Sequence, residues 1–94
     1  MEKQIMYKVP KGKLLRIFLQ VDRRNNSIKD ISITGDFFAY PEEAIEELEK
    51  VLQKKPLERQ VLIDTISSFV ESHHVEFIGV DALSLSEAIM RGIA

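Results

Sequence analysis

The sequence contains no cysteine. This absence excludes disulfide bonds, a catalytic thiolate, and zinc or iron–sulfur centres ligated by cysteine. Glycine and proline are scarce, at four and three residues, and no segment is of low complexity, which argues against intrinsic disorder. No apolar run approaches the roughly 18 residues of a transmembrane helix, and no signal-peptide-like apolar core follows Met1. We therefore expect a cytoplasmic protein with no membrane association.

The length and charge of the chain narrow its class further. Its 94 residues correspond to one domain, which we take as residues 1–94. A domain of this size buries only about 60–65% of its unfolded surface, so its core is modest and it has little room for a deep cleft. The net charge of −2 argues against a protein whose main ligand is a nucleic-acid backbone, because such proteins carry a strongly basic face.

The first third of the chain alternates between apolar and polar residues, which predicts β-strands. The clearest strand places Leu15, Ile17, Leu19 and Val21 on one face. A Pro-Lys-Gly turn precedes this strand, and a polar segment at 22–27 follows it, as expected of hairpin connections.

The rest of the chain has helical periodicity. Pro41 is predicted to open the first helix and Pro56 to end it. Ser84 and Glu87 have the spacing of a capping box at the start of the last helix. The segment 75–80 fits either a short fourth strand or an extended connection. The predicted elements are strands at about 4–9, 13–21 and 28–34 and helices at about 41–53, 57–72 and 84–93.

Strands followed by helices indicate an α+β fold, in which an antiparallel three-stranded sheet has helices packed on one face. In such a fold the other face of the sheet is either covered by some of the helices or left free for a partner. Met6, Leu14 and Phe18 fall on that second face. The segment Gly35-Asp36-Phe37-Phe38 breaks the strand pattern, and adjacent aromatic side chains usually point to opposite sides. We expect one phenylalanine to fill the core and the other to stay available.

No arrangement of residues predicts catalysis. His73 and His74 are adjacent, so their side chains diverge, and a metal site needs three or four convergent ligands. The serines lie in no nucleophile-elbow motif, and a relay of Ser68, His73 and Asp64 would need three helix positions to converge. We predict no catalytic residue and no bound metal.

The pair Gly12-Lys13 lacks the earlier glycine and the Ser/Thr of a phosphate-binding loop, and a strand follows it instead of a helix. It is therefore read as a hairpin turn. Lys11 and Lys13 would be exposed on that turn, where they could reach a phosphate held by another molecule.

Three segments together resemble the C-terminal accessory domain of lipoate–protein ligases. They are Lys8-Val9-Pro10-Lys11-Gly12-Lys13-Leu14-Leu15-Arg16, Ile33-Thr34-Gly35-Asp36-Phe37-Phe38, and the acidic helix that starts at Pro41-Glu42-Glu43. The Gly-Asp-Phe-Phe segment leading into a Pro-Glu-Glu helix is the most specific part. Gly79-Val80-Asp81 before the last helix also resembles the end of this domain, so the likeness covers nearly the whole chain.

The resemblance implies a fold akin to that of iron–sulfur scaffold proteins, although the lack of cysteine rules out the scaffold activity. Because the sequence begins directly with this domain, it is similar to the small subunit of the bipartite, archaeal-type ligases. The resemblance then implies a non-catalytic subunit that assists ATP-dependent formation of lipoyl-adenylate by a separate catalytic subunit, in a heterodimer. ATP, Mg²⁺ and lipoate would bind to that catalytic partner, and lipoyl-acceptor proteins would be indirect partners.

The residues expected at the interface are those of the second sheet face and of the Gly-Asp-Phe-Phe segment, namely Met6, Leu14, Phe18, Gly35, Asp36, Phe37 and Phe38. The alternative is a free-standing module that binds another protein or nucleic acid. Against nucleic acid, Tyr7 and Phe18 are expected on opposite sides of the sheet, so aromatic residues do not form a stacking platform among the basic ones.

Overall fold

The structure is a computed structural model that describes residues 2–10 and 13–92. It contains a three-stranded sheet, a two-stranded sheet and three helices, which confirms the α+β class. The strands are β1 (Glu2–Lys8), β2 (Leu14–Asp22), β3 (Ser27–Gly35), β4 (Phe38–Tyr40) and β5 (Glu76–Ile78), and the helices are α1 (Ala44–Leu52), α2 (Arg59–Ser72) and α3 (Ala82–Arg91).

The larger sheet is antiparallel throughout, with β2 between β1 and β3. Ile5, Ile17 and Ile33 lie opposite one another across the three strands. All three are buried, so this register aligns the apolar face of each strand on one side of the sheet. We call this side the helix face. The side that carries Met6, Arg16, Phe18 and Thr34 we call the open face.

A β-bulge interrupts the pairing of β2 with β3. Gln20 lies opposite Asp30, whereas its neighbour Val21 lies opposite Ile28, so Lys29 is an extra residue in β3. Because of the bulge, two consecutive residues of β3 are exposed, and the residues on either side of them, Ile28 and Ile31, both lie in the core. The strand alternation that places Ile31 and Ile33 inward did not identify Ile28.

The helices cover the helix face only. α1 packs against β3, α3 packs against β1 and β2, and α2 packs against α1 and α3. Leu48, Ile66 and Ile89, one from each helix, are fully buried in the single core cluster. The prediction that the helices pack on one face is thus confirmed. None of the described helices is both long and apolar enough to cross a membrane.

Each helix starts at a different place from the one predicted. α1 begins at Ala44 instead of residue 41, because Pro41 lies in a preceding turn, where its carbonyl accepts a hydrogen bond from the Ala44 N–H at 3.0 Å. α2 begins at Arg59 instead of residue 57. Pro56 still follows α1, which ends at Leu52.

The predicted capping box of the last helix is wrong. α3 begins at Ala82, and Asp81 is its N-cap: one carboxylate oxygen accepts from both the backbone N–H and the hydroxyl of Ser84 at 2.7 Å. Ser84 therefore lies inside the first turn. α3 ends at Arg91, and the predicted last residue, Ile93, lies outside the described residues.

The segment 75–80, left open by its sequence, contains the short strand β5. It pairs with β4 in a separate antiparallel ribbon, with Phe38 opposite Ile78 and Tyr40 opposite Glu76. β4 was not expected from the sequence, since three residues are too few to show a clear alternation. The ribbon follows directly on β3, which ends at Gly35, and so extends the structure beyond the main sheet.

Candidate protein-interaction surface

The open face carries exposed apolar side chains at its centre. Met6 and Phe18 are 59% and 54% exposed there, and Leu14, the first residue of β2, is half-buried at one end of the face. Met6 lies opposite Arg16, Phe18 opposite Gln4 and Leu14 opposite Lys8, so the three share one side of the two paired strands. The structure thus brings together the three sheet residues expected at an interface. A small protein gains nothing in its own stability by exposing them.

The charges on the open face are unevenly distributed. Lys8 and Arg16 are exposed near the Leu14 end, Lys13 is exposed in the adjoining turn, and none of the three forms an ion pair with a described residue. Glu2 and Asp30 lie at the far end, on either side of Gln20, which is opposite both of them. The surface is therefore apolar at its centre, cationic at one end and acidic at the other.

The turn between β1 and β2 is closed by the Val9 N–H, which donates to the Lys13 carbonyl at 3.0 Å. A hairpin turn is what the sequence indicated. Lys11 and Gly12 lie outside the described residues, so of the two candidate phosphate-contacting lysines only Lys13 is placed. Its side chain is exposed, on the same end of the molecule as Arg16.

Gly35 connects the main sheet to the ribbon, and the close approach of two chain segments requires glycine there. A Cβ atom at this position would lie 2.4 Å from the Leu14 carbonyl oxygen, and the residue has a φ of +150°. The next residue, Asp36, donates its N–H to the same carbonyl at 3.0 Å. The start of the ribbon is thereby fixed against Leu14 of the open face.

Phe37 and Phe38 divide as expected between the core and the solvent. Phe37 is half-buried and packs against the core cluster, whereas Phe38 is 64% exposed. Of the seven residues expected at the interface, Phe37 is thus the one whose side chain the structure turns inward. Asp36 is exposed beside it.

The structure adds two residues that sequence reasoning missed. Tyr40 and Ile78 are 50% and 49% exposed, and they share the outer side of the ribbon with Phe38. Ala39 and Phe77, opposite each other, point to the core side. The alternation Phe-Ala-Tyr was the available signal, but it needs the partner strand at 76–78 to identify an apolar patch.

The outer edge of β3 is occupied by a carboxylate. Glu49 of α1 accepts a hydrogen bond from the Ile33 N–H at 2.7 Å. Partial burial raises the pKa of Glu49, the hydrogen bond from Ile33 opposes that effect, and the nearby Glu46 and Asp30 charges add to it. By contrast, the hydrogen bonds from Ser84 lower the pKa of Asp81.

The histidines are engaged in local contacts. The His73 ring stacks on Phe69 with centroids 4.3 Å apart, and its Nδ1 lies 3.0 Å from the Ser72 hydroxyl and 3.2 Å from the Phe69 carbonyl oxygen. His74 is exposed, with a φ of 52°. Within residues 2–10 and 13–92, no group of three histidine or acidic side chains is placed to hold a metal ion.

Ser68, His73 and Asp64 border one shallow depression on α2. However, the Asp64 carboxylate accepts from Gln60 at 2.9 Å, and the His73 Nδ1 contacts Ser72 and the main chain. The described contacts therefore contain no Ser68–His73–Asp64 relay. The surface with the strongest functional character is the open face together with the outer side of the ribbon.

Comparison with known proteins identifies the family of the chain. Residues 7–89 match the family described as the bacterial lipoate protein ligase C-terminus. The chain is 45% identical over 53 residues to lipoate-protein ligase A subunit 2 of Thermoplasma acidophilum, a match that covers 56% of this chain and 53% of the relative. The chain thus spans about half the length of this curated relative.

A solved structure is similar over almost the full length. It describes an archaeal lipoylation system from Thermoplasma acidophilum, a bipartite lipoate protein ligase and its E2 lipoyl domain. The similarity has a TM-score of 0.78 at 35% sequence identity and covers 95% of this chain and 94% of that chain.

Proposed function

Because the chain belongs to the family of lipoate–protein ligase C-terminal domains, we propose that it is the accessory subunit of a bipartite lipoate–protein ligase. In this role it binds a separate catalytic subunit and stimulates ATP-dependent adenylation of lipoate, in the cytoplasm. The observation that supports this most is the match of 95% of the chain to a chain of a bipartite ligase system.

The chemistry belongs to the catalytic subunit in this proposal. The described residues offer exposed apolar and cationic side chains, but no activated nucleophile and no metal-ligand cluster. In this proposal ATP, Mg²⁺ and lipoate bind to the partner. Lys13, which is exposed, is the described residue that we propose adds positive charge near a phosphate of the partner's nucleotide.

An accessory subunit without reacting groups acts by binding one conformation of the enzyme more tightly than another. A stimulation of ~100-fold requires a difference in binding free energy of about 2.7 kcal/mol between the two conformations. A standard interface of roughly 1,200–2,000 Å² supplies enough binding free energy for that. The open face and the outer side of the ribbon are the surfaces that we assign to this contact, through Met6, Leu14, Phe18 and Phe38.

The test is lipoate-dependent release of pyrophosphate by the catalytic subunit, measured with and without this chain. We expect no release by the chain alone and a sharp rise when both are present. Transfer from preformed lipoyl-adenylate to an acceptor protein should depend much less on this chain. Equal adenylation rates in both samples would contradict the proposal.

The same preparations separate this function from that of an unrelated protein-binding module. Co-elution with the catalytic subunit in gel filtration is expected. As a matched control, Phe18→Glu should abolish co-elution, whereas Val51→Glu, a change at an exposed apolar residue on α1, should not. If both variants still co-elute with the catalytic subunit, the contact lies elsewhere.

A further inference from the structure

The two edges of the main sheet differ in whether their outward-pointing backbone groups are hydrogen-bonded. At the β3 edge, the Ile33 N–H donates to Glu49 and the Ile31 N–H to the Asp30 carboxylate, at 2.7 and 2.9 Å. Nearby, the Ile28 N–H donates to the Lys55 carbonyl, and the Ile28 carbonyl accepts from the Lys54 N–H. This edge is thereby closed to another strand.

The β1 edge has no such cover among residues 2–10 and 13–92. β1 pairs with β2 on one side, and no described residue outside β2 forms a backbone hydrogen bond with residues 2–8. Val9 donates its N–H to Lys13 on the β2 side, and in an antiparallel pair this direction alternates. The backbone groups of Glu2, Gln4, Met6 and Lys8 therefore point outward.

The two ends of β1 carry side chains of opposite charge, so that an antiparallel copy of the strand can place unlike charges opposite each other. Glu2 and Lys8 are the outermost residues of the seven-residue strand, both on the open face, and Ile5 is its central residue. A second β1 strand placed antiparallel and centred on Ile5 brings Glu2 of each chain opposite Lys8 of the other. Opposite charges at directly paired positions stabilise a sheet, and like charges destabilise it.

We propose that the β1 edge pairs with the β1 strand of a second copy of this chain, in an antiparallel register centred on Ile5. All four outward-pointing residues of each strand then lie in hydrogen-bonded pairs, Glu2 with Lys8 and Gln4 with Met6. The two three-stranded sheets become one six-stranded sheet around a two-fold axis. A shift of the register by two residues leaves Glu2 or Lys8 without its oppositely charged partner.

This arrangement goes beyond the proposed accessory role and does not depend on it. Edge pairing leaves the apolar centre of each open face exposed, at Phe18 in particular, and joins the two open faces into one surface. A complex with a catalytic subunit would then contain two copies of each chain. Homodimer formation can be tested with this chain alone, so its failure is distinct from failure of the ligase proposal.

Charge reversal gives the direct test. Sedimentation equilibrium of the wild-type chain at micromolar to millimolar concentrations should show a monomer–dimer equilibrium. Glu2→Lys and Lys8→Glu each place two like-charge pairs in the dimer and should weaken dimerisation at least about tenfold. The double variant Glu2→Lys with Lys8→Glu should restore it, because the complementary pattern returns in reverse.

A backbone variant provides an independent measurement. Gln4→Pro removes an outward-pointing N–H that β2 does not use, so circular dichroism should show a folded protein and sedimentation a monomer. A wild type that is monomeric at all concentrations would overturn the proposal. So would a double variant that stays as weak as the single ones, or dimerisation that Gln4→Pro leaves intact in the folded protein.

Discussion

The two faces of the main sheet are built from the same strands but differ in burial and in side-chain composition. On β2, Ile17 is fully buried under the helices, whereas its neighbour Phe18 is 54% exposed on the open face. The buried residues of the helix face are aliphatic, whereas those of the open face mix apolar and charged side chains. The first set accounts for the stability of the domain. The second contributes little to it and is the surface that we propose contacts a partner.

The sharpest test of this division compares Ile17→Ala with Phe18→Ala. We expect Ile17→Ala to lower the free energy of unfolding by about 2–5 kcal/mol, because it leaves a cavity in a closed core. Phe18→Ala should lower it by less than about 1 kcal/mol, since much of the ring is already in water. Urea denaturation followed by circular dichroism measures both.

The charge variant Phe18→Glu extends this comparison. It should remain folded as an isolated chain and should no longer stimulate the catalytic subunit. If Phe18→Glu unfolds the domain, the open face is part of the core and the division between the two faces is wrong.

Phe37 and Phe38 repeat the comparison within two adjacent residues. Phe37→Ala should destabilise by about 2–3 kcal/mol, less than a fully buried phenylalanine, because Phe37 is half-buried against the core. Phe38→Ala should leave the melting temperature nearly unchanged and weaken binding to the catalytic subunit. Thermal melts and a binding titration of the two variants side by side decide this. Equal destabilisation by both would assign the whole segment to the core.

Variants of Glu49 test how much the hydrogen bond at the β3 edge contributes to stability. Glu49→Ala leaves the Ile33 N–H without its acceptor and should cost about 1 kcal/mol, the low end for a partly exposed group. Glu49→Gln keeps an acceptor and should cost less. Denaturation midpoints of the two variants at neutral pH provide the measurement.

The pH dependence of stability has a definite sign at Glu49. Its pKa is raised in the folded state, mainly by burial, so the folded state holds the proton more tightly than the unfolded state. This group therefore favours folding below its unfolded pKa, and that contribution is lost as the pH rises through the raised folded value. Glu49→Gln should remove this decline from the stability curve. A curve identical to that of the wild type would show that the carboxylate is fully hydrated.

The alternation of β2 was enough to predict the helix face, because Leu15, Ile17, Leu19 and Val21 repeat with a period of two. Ile28 escaped this reasoning, since a bulge at Lys29 breaks the period and depends on pairing with β2. The start of α3 was misplaced because Ser84 and Glu87 fit a capping box locally. Asp81 makes the better cap once the chain approaches from β5.

The candidate surface was predictable only in part for a related reason. Met6, Leu14 and Phe18 follow from strand alternation alone. Tyr40 and Ile78 join Phe38 only when β4 and β5 pair, and strands of three residues leave almost no periodic signal. The division of Phe37 from Phe38 was expected, but the direction of each ring depends on the course of the chain after Gly35, where close approach to Leu14 fixes it.

The smallest effect on stability is expected at Lys13, in the turn next to the cationic end of the open face. Lys13 is exposed and forms no ion pair with a described residue, so Lys13→Ala should change the free energy of unfolding by no more than about 0.5 kcal/mol. If its charge meets an anionic group of the catalytic subunit or its nucleotide, the variant should weaken association, and added salt should reduce the difference from the wild type. Lys29→Ala is the matched control, because Lys29 is exposed in the bulge beside Asp30, at the acidic end of the sheet. Association constants of both variants at low and high salt test this. Equal weakening by the two would mean that net charge alone matters and that the cationic end makes no specific contact.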